Sequence, residues 1–436
     1  MEHIDRSGRA LRRGRTRRPL ALMAPLLLAM GAAACDGLLE VTLPGNLEEA
    51  DLNNPGLAST LVLGARSDFD CGMSAWIRSS NLWAGELFTA STSLAYGATE
   101  ARRSLVEQYG PGQCDSGSSP NIPGLWLPFQ VSRLQAESAI ERIEGFPEGS
   151  VPNKDFLIAK ANAYAGYSYQ HLGEGFCELY FDRGLRTTRE ETFRIAETRF
   201  TSALEYAGRV TSGPDAATAR SIANLAHVGR ARARLHLGDM AGVIQDASAV
   251  DEGFLWTTDH SGVSNRRRNN LYQDNHLDRS LSAQAKDYGL TVDGVPDPRI
   301  QLVFRPGAGS AGRTDLYVIQ KYPSASAPIP VASWREAQLM IAEATGGQTA
   351  VGIINSLRAT PGLPPFASQD PSEIRDVLIE ERRRELYLEG KQLGDMLRLN
   401  LPFPTGLTPG GETIDDSTPT CLPTMAAERL GNPNAR

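Results

Sequence analysis

The stretch EIRDVLIEERRRELYLEGKQLGDMLRLN, Glu373 to Asn400, decides how this chain is read. Ile374, Leu378, Leu388, Met396 and Leu399 recur on one broad helical face. Glu381, Glu385 and Gln392 fall on the same stripe. A carboxylate on an apolar face needs a partner, because burying it alone is very costly. Arg382, Arg384 and Arg398 are nearby donors. Paired carboxylates can serve acid–base catalysis. Glutamates set in a helix among arginines more often form a structural network. Glu381, Arg382, Glu385, Glu389, Asp395 and Arg398 are therefore read as ion-pair residues, and no catalytic residue is assigned.

Helical patterning dominates further upstream. In ETFRIAETRFTSALEYAGRV, Phe193, Ala196, Phe200, Ala203, Leu204 and Ala207 share a face. VSRLQAESAIERI, Val131 to Ile143, reads similarly, and Pro147 and Pro152 bracket the loop after it. ARARLHLGDMAGVIQDA, Ala231 to Ala247, has small residues at 231 and 233, Gly238-Asp239 at a bend, and Val243, Ile244 and Ala247 beyond. This resembles a tetratricopeptide unit, in which small residues let two helices approach closely. AGYSYQHLGEGF, Ala165 to Phe176, matches the first half of such a unit. The expected fold class is all-α: a tetratricopeptide-like scaffold of helical pairs with long irregular loops. Between about Asp251 and Pro330 the periodicity fades, and loops on a scaffold are where binding surfaces tend to sit.

The other end reads as a targeting segment. Seven arginines, then the apolar run Leu20 to Met30, then Gly31-Ala32-Ala33-Ala34 follow the order of a secretory signal peptide. Ala32-Ala33-Ala34-Cys35 resembles a lipobox, with alanine where leucine is usual. Residues 1–34 are thus expected to be removed and Cys35 acylated. Residues 35–55 would form the tether and 56–436 one binding domain. Arg17-Arg18 is a weak twin-arginine export signal. Without residues 1–34 the chain holds 37 basic and 49 acidic side chains, a net charge of −12. Nucleic acid is a poor partner for such a surface. No second apolar run of membrane-spanning length follows, so a body on a lipid tether is expected.

Cys71, Cys114, Cys177 and Cys421 remain, too widely spaced for a zinc site. Export favours two disulfides. Locality favours Cys71–Cys114, and elimination then leaves Cys177–Cys421. No H-E-x-x-H, G-x-S-x-G or P-loop occurs. The histidines do not pair at metal spacing; His171 and His236, each before a glycine, read as capping or surface groups. No metal or cofactor is expected.

Several motifs together resemble the SusD/RagB-like nutrient-binding outer-membrane lipoproteins. Glu381-Arg382-Arg383-Arg384-Glu385-Leu386-Tyr387-Leu388-Glu389-Gly390 is similar to that family's E-R-x-x-E-L-x-x-E-G run, and Asp395-Met396-Leu397-Arg398 to its D-L-x-R element. Ile329-Pro330-Val331 through Trp334 to Ala344, Ala350 to Pro364, and Pro296-Asp297-Pro298-Arg299 resemble further family motifs in order. Lys391-Gln392 departs from the family's frequent His-Arg. The resemblance implies a helical body with four tetratricopeptide-like units. It implies capture of a glycan or peptide at the cell surface, and transfer to a TonB-dependent, SusC-like outer-membrane transporter. Aromatic side chains stack on sugars in the glycan binders, which nominates Trp76, Trp83, Tyr96 and Trp126 as ligand contacts. Asp36 beside the lipid cysteine leaves the surface and periplasmic faces both open. A periplasmic scaffold for protein partners and a lipoprotein glycoside hydrolase are the alternative readings.

Overall fold

Helix formation along this chain follows identifiable start and stop signals. The computed structural model describes residues 51–103, 125–312, 314–408, 411–415 and 417–435, without the side chains of 426 and 427. The chain divides into two units, Met1–Leu52 and Asn53–Arg436, and the second carries everything below. Its helices begin with α1 (Ala58–Trp83), α2 (Leu94–Glu100), α3 (Trp126–Gly145), α4 (Lys154–Gly175), α5 (Arg189–Arg209), α6 (Ala216–Leu237) and α7 (Met240–Ala247). After a long loop-rich segment come α8 (Trp334–Thr345), α9 (Gly347–Ala359), α10 (Pro371–Glu385), α11 (Gln392–Leu399) and α12 (Ala426–Gly431). Helix α5 opens on a capping box, in which Thr188 and Glu191 satisfy each other's backbone donors. Helix α6 stops at Gly238, which takes φ 77°, and the Asp239 side chain then caps α7 by accepting from Gly242 N.

Helices α3 to α7 pack each on the next, α7 packs on α8, and α8 packs on α9 and α10. The all-α reading describes this scaffold. Close approach is built in around Phe200 of α5: a Cβ at Gly229 of α6 would sit 2.4 Å from its ring. Among the described residues every sheet is a two-stranded antiparallel pair. No described helix is long and apolar enough to cross a membrane.

The Glu373–Asn400 stretch differs from one continuous helix. It breaks between α10 and α11, where Leu388 and Gly390 take φ of 58° and 75°. The cause is Trp76 of α1, whose indole Nε1 donates to the Gly390 carbonyl at 2.8 Å. A Cβ on Gly390 would lie 2.4 Å from that ring. The break thus seats a tryptophan against bare backbone.

Cys177 and Cys421 form a disulfide with Cα atoms 5.2 Å apart across 244 residues of sequence. Backbone bonds beside it join Leu422 N to Gly175 O and Cys177 N to Leu422 O. Cys71 is buried and also disulfide-bonded. Cys114 lies outside the described residues, as do Cys35 and the segment before it.

Candidate functional site

The charged motif residues come together as a buried lattice. Glu381 accepts from Arg358 Nε at 2.9 Å and from Arg299 Nη1 at 2.7 Å. Arg299 in turn grips Asp297 through two nitrogens, at 2.9 and 2.7 Å. Glu385 is held by Arg335. Glu389 accepts from Lys321 Nζ at 2.7 Å. Arg382 and Arg398 both bind Asp395, and Arg398 also reaches Glu343 of α8. Burial opposes charge on Asp395, yet the two guanidiniums outweigh it and hold its carboxyl down at about 2. Lys391 is buried too, and burial, reinforced by Arg232, pushes its ammonium down to about 8. Its Nζ donates to Val331 O at 2.8 Å, beside the Arg232–Glu336 pair that joins α6 to α8. These groups neutralise one another and hold α6, α8, α9, α10 and α11 together. Each of the carboxylates Glu381, Glu385, Glu389 and Asp395 is engaged by a basic side chain.

The nominated aromatics require correction. Trp76, Trp83, Tyr96 and Trp126 are 0, 1, 5 and 5 % exposed. Trp83 donates its Nε1 to Thr420 O, and Tyr96 donates to Asp274. Trp126 packs edge-on against Phe176. None offers a ring face to solvent, because each is enclosed by neighbouring helices and loops. The two histidines read as capping or surface groups are likewise interior. His171 stacks on Trp76, burial holds it neutral with its pKa near 4, and His236 stacks on Phe193. Both approach Glu174, which the sequence reading did not single out.

An exposed aromatic surface lies instead in the loop-rich segment. Strands Leu302–Arg305 and Leu316–Ile319 pair antiparallel with Phe304 opposite Tyr317. Cross-strand neighbours meet on one face, and these two rings stack with centroids 5.1 Å apart. Tyr288 joins them, 5.9 Å from Phe304 and 5.6 Å from Tyr317. Tyr288 is 50 % and Phe304 38 % exposed, and Val303 beside them is exposed as well. The alternate residues Leu316 and Val318 turn inward onto Phe88.

This hairpin is clamped from below. Buried Asn275 accepts from Ile319 N at 2.9 Å and donates to the carbonyls of Leu281 and Tyr317. Ser282 Oγ accepts from Tyr317 N at 2.8 Å. At the hairpin's open end Gln320 N donates to Gln301 O, and both side chains line a cleft of about 400 Å³ with Lys321, Arg335 and Glu389. Strand rise puts Gln320 about 10 Å from Tyr317. The hairpin thus carries stacked rings on one face and reaches a polar cleft at its open end. Among the described residues no group of three or more His, Cys, Asp or Glu could hold a metal ion.

No family model matches the sequence, and no curated protein matches it. Solved structures do match. A SusD-like carbohydrate binding protein from Bacteroides vulgatus superposes with TM-score 0.65 at 15 % identity, over 87 % of this chain and 97 % of that one. A SusD superfamily protein from Bacteroides fragilis gives 0.64 at 15 % identity, over 87 % and 98 %. Surface glycan-binding protein A from Bacteroides fluxus gives 0.58 at 13 % identity, over 83 % and 93 %. Across nearly the whole length of these proteins, this chain has the SusD-like fold.

Proposed function

We propose that this protein is a lipid-anchored binder that captures a nutrient oligomer, a glycan in the first instance, on the Tyr288–Phe304–Tyr317 surface. The observation that carries the reading is a set of three mutually contacting rings, Tyr288 and Phe304 exposed and Tyr317 half-buried, on a hairpin that buried Asn275 braces. Sugar C–H faces are apolar and pack on aromatic rings, while sugar hydroxyls take hydrogen bonds from polar groups around the ring. Structures of similar fold described as carbohydrate- or glycan-binding support the ligand class. Glu381 and Glu385, the carboxylates that suggested a hydrolase, are both held by arginines. In this reading residues 1–34 are removed, Cys35 is acylated, and the bound oligomer passes to a TonB-dependent outer-membrane transporter.

The test is calorimetric titration of a soluble chain starting at Asp36 with panels of oligosaccharides and peptides. Phe304→Ala and Tyr317→Ala should each weaken the best ligand about tenfold, since a lost ring contact of about 1.4 kcal/mol is a factor of ten. Unchanged affinity in the double variant would remove the surface from the proposal. Release of shortened oligomers would make the protein an enzyme. Cys35→Ser should move the protein from the membrane fraction to the soluble one, and protease treatment of intact cells reads the face it occupies.

A further inference from the structure

The buried arginines of the described residues follow a rule with one exception. Arg78, Arg133, Arg232, Arg358 and Arg382 each pair with a carboxylate. Arg102 is 2 % exposed and does not. Its Nη2 donates to Pro404 O at 3.2 Å, and its guanidinium lies over the Phe403 ring at 4.9 Å. Nε and Nη1 are buried with no hydrogen-bond partner. The residue also takes φ 55°, a backbone state that a non-glycine residue keeps only when its surroundings hold it there. An unpaired buried cation is costly, so its persistence calls for a counter-charge.

The space for one is present. A cavity of about 130 Å³ adjoins Arg102, between the end of α1 and the loop carrying Pro404 to Thr408. Leu82, Trp83, Leu87 and Ile414 give it apolar walls, which strengthen any charge pairing inside. Glu100 also lines it but does not pair with Arg102; its carboxyl accepts from Thr89 N at 2.9 Å. Burial pushes the Glu100 carboxyl upward, toward its neutral form, which reduces its repulsion of an anion. The acidic group whose field reaches Arg102 is Asp415, and it is engaged with Ser417. The cavity is well below the roughly 300–1,000 Å³ of a pocket for a drug-sized molecule. It fits a single charged group.

We propose that this cavity is a binding site for one small oxyanion, the carboxylate or sulfate group of an acidic ligand, held by the Arg102 guanidinium. The site is distinct from the aromatic surface, so either can fail alone. The experiment follows thermal unfolding of the soluble chain in sodium acetate, glucuronate or sulfate, against sodium chloride at equal ionic strength. At least one oxyanion should raise the midpoint by several degrees with a saturating dose dependence, beyond the chloride control. Which salt acts separates carboxylate from sulfate. Arg102→Met should abolish the shift, and Arg102→Lys should keep part of it. If Arg102→Met does not fold, Glu100→Gln serves instead, and should bind the anion at least as tightly as the unaltered protein. No oxyanion exceeding chloride in the unaltered protein, a full shift in Arg102→Met, or weaker binding in Glu100→Gln overturns the proposal.

Discussion

Trp76 lies between Phe129 and His171, with ring centroids 6.2 and 5.3 Å away, and none of its surface reaches solvent. Phe304 lies against Tyr317 at 5.1 Å and keeps 38 % of its surface exposed. Both are aromatic side chains on regular backbone, and what stands behind the backbone decides their fates. Helix α1 has α3 and α4 packed against it, together with the turn before α11, so its rings are covered on several sides. The Leu302–Ile319 hairpin is covered only in part: Leu316, Val318 and Ile319 are buried, while Val303 and Phe304 are exposed. One cluster stabilises the body, and the other keeps ring surface open to solvent.

The largest effect should come from the covered cluster. Trp76→Ala removes a fully buried ring and leaves the Gly390 carbonyl without its donor. A loss of about 3–5 kcal/mol is expected in urea denaturation. A loss near zero would mean that Trp76 is not the anchor described here.

Glu86 gives an intermediate effect between the two regions. It lies just after α1 and before Leu87–Thr89, the strand that pairs with Leu281–Ala283 behind the hairpin. It is 3 % exposed, with neither carboxyl oxygen hydrogen-bonded. Burial, assisted by Asp287, pushes its carboxyl up to about 8 from the usual 4.5. The folded state therefore holds a proton that the unfolded chain releases, so this group's contribution to stability falls as pH rises through that window. Glu86→Gln should gain on the unaltered protein from about pH 4.5 to pH 8, by an amount of order a few kcal/mol, and no further above it. A pH-independent difference between the two would refute the raised carboxyl.

The smallest stability effect belongs to the bare cluster. Phe304→Ala should change the unfolding free energy by no more than about 1 kcal/mol, while weakening ligand binding as proposed above. A loss as large as that of Trp76→Ala would make the exposed rings part of the core and end the contrast.

The pattern of what sequence reveals follows the same contrast. Helix α5 was legible because only one of its faces is buried, which imposes a 3.6-residue period on Phe193, Ala196, Phe200 and Ala203. Helix α1 was not, because it is buried on every side from Asp68 to Trp83 and has no polar face to alternate with. Its tryptophans were therefore nominated as ligand contacts from the resemblance alone. The network glutamates were legible because a carboxylate on an apolar stripe demands a cation. Arg358 as the partner of Glu381 was not, since it sits on another helix. The aromatic hairpin left a faint trace, the short apolar run Leu316 to Ile319. Four such residues do not say which face is covered, and the pairing of Phe304 with Tyr317 is set by a register no local pattern carries.

The Cys177–Cys421 bond has a mechanical consequence. Tension applied between the two ends of the chain would cross from Cys177 to Cys421 through two sulfurs and bypass everything between. Helices α5 to α11, the hairpin and the whole charged lattice would carry no load while the bond is intact. Breaking it would release slack on the order of 800 Å, the contour of 244 residues at full extension.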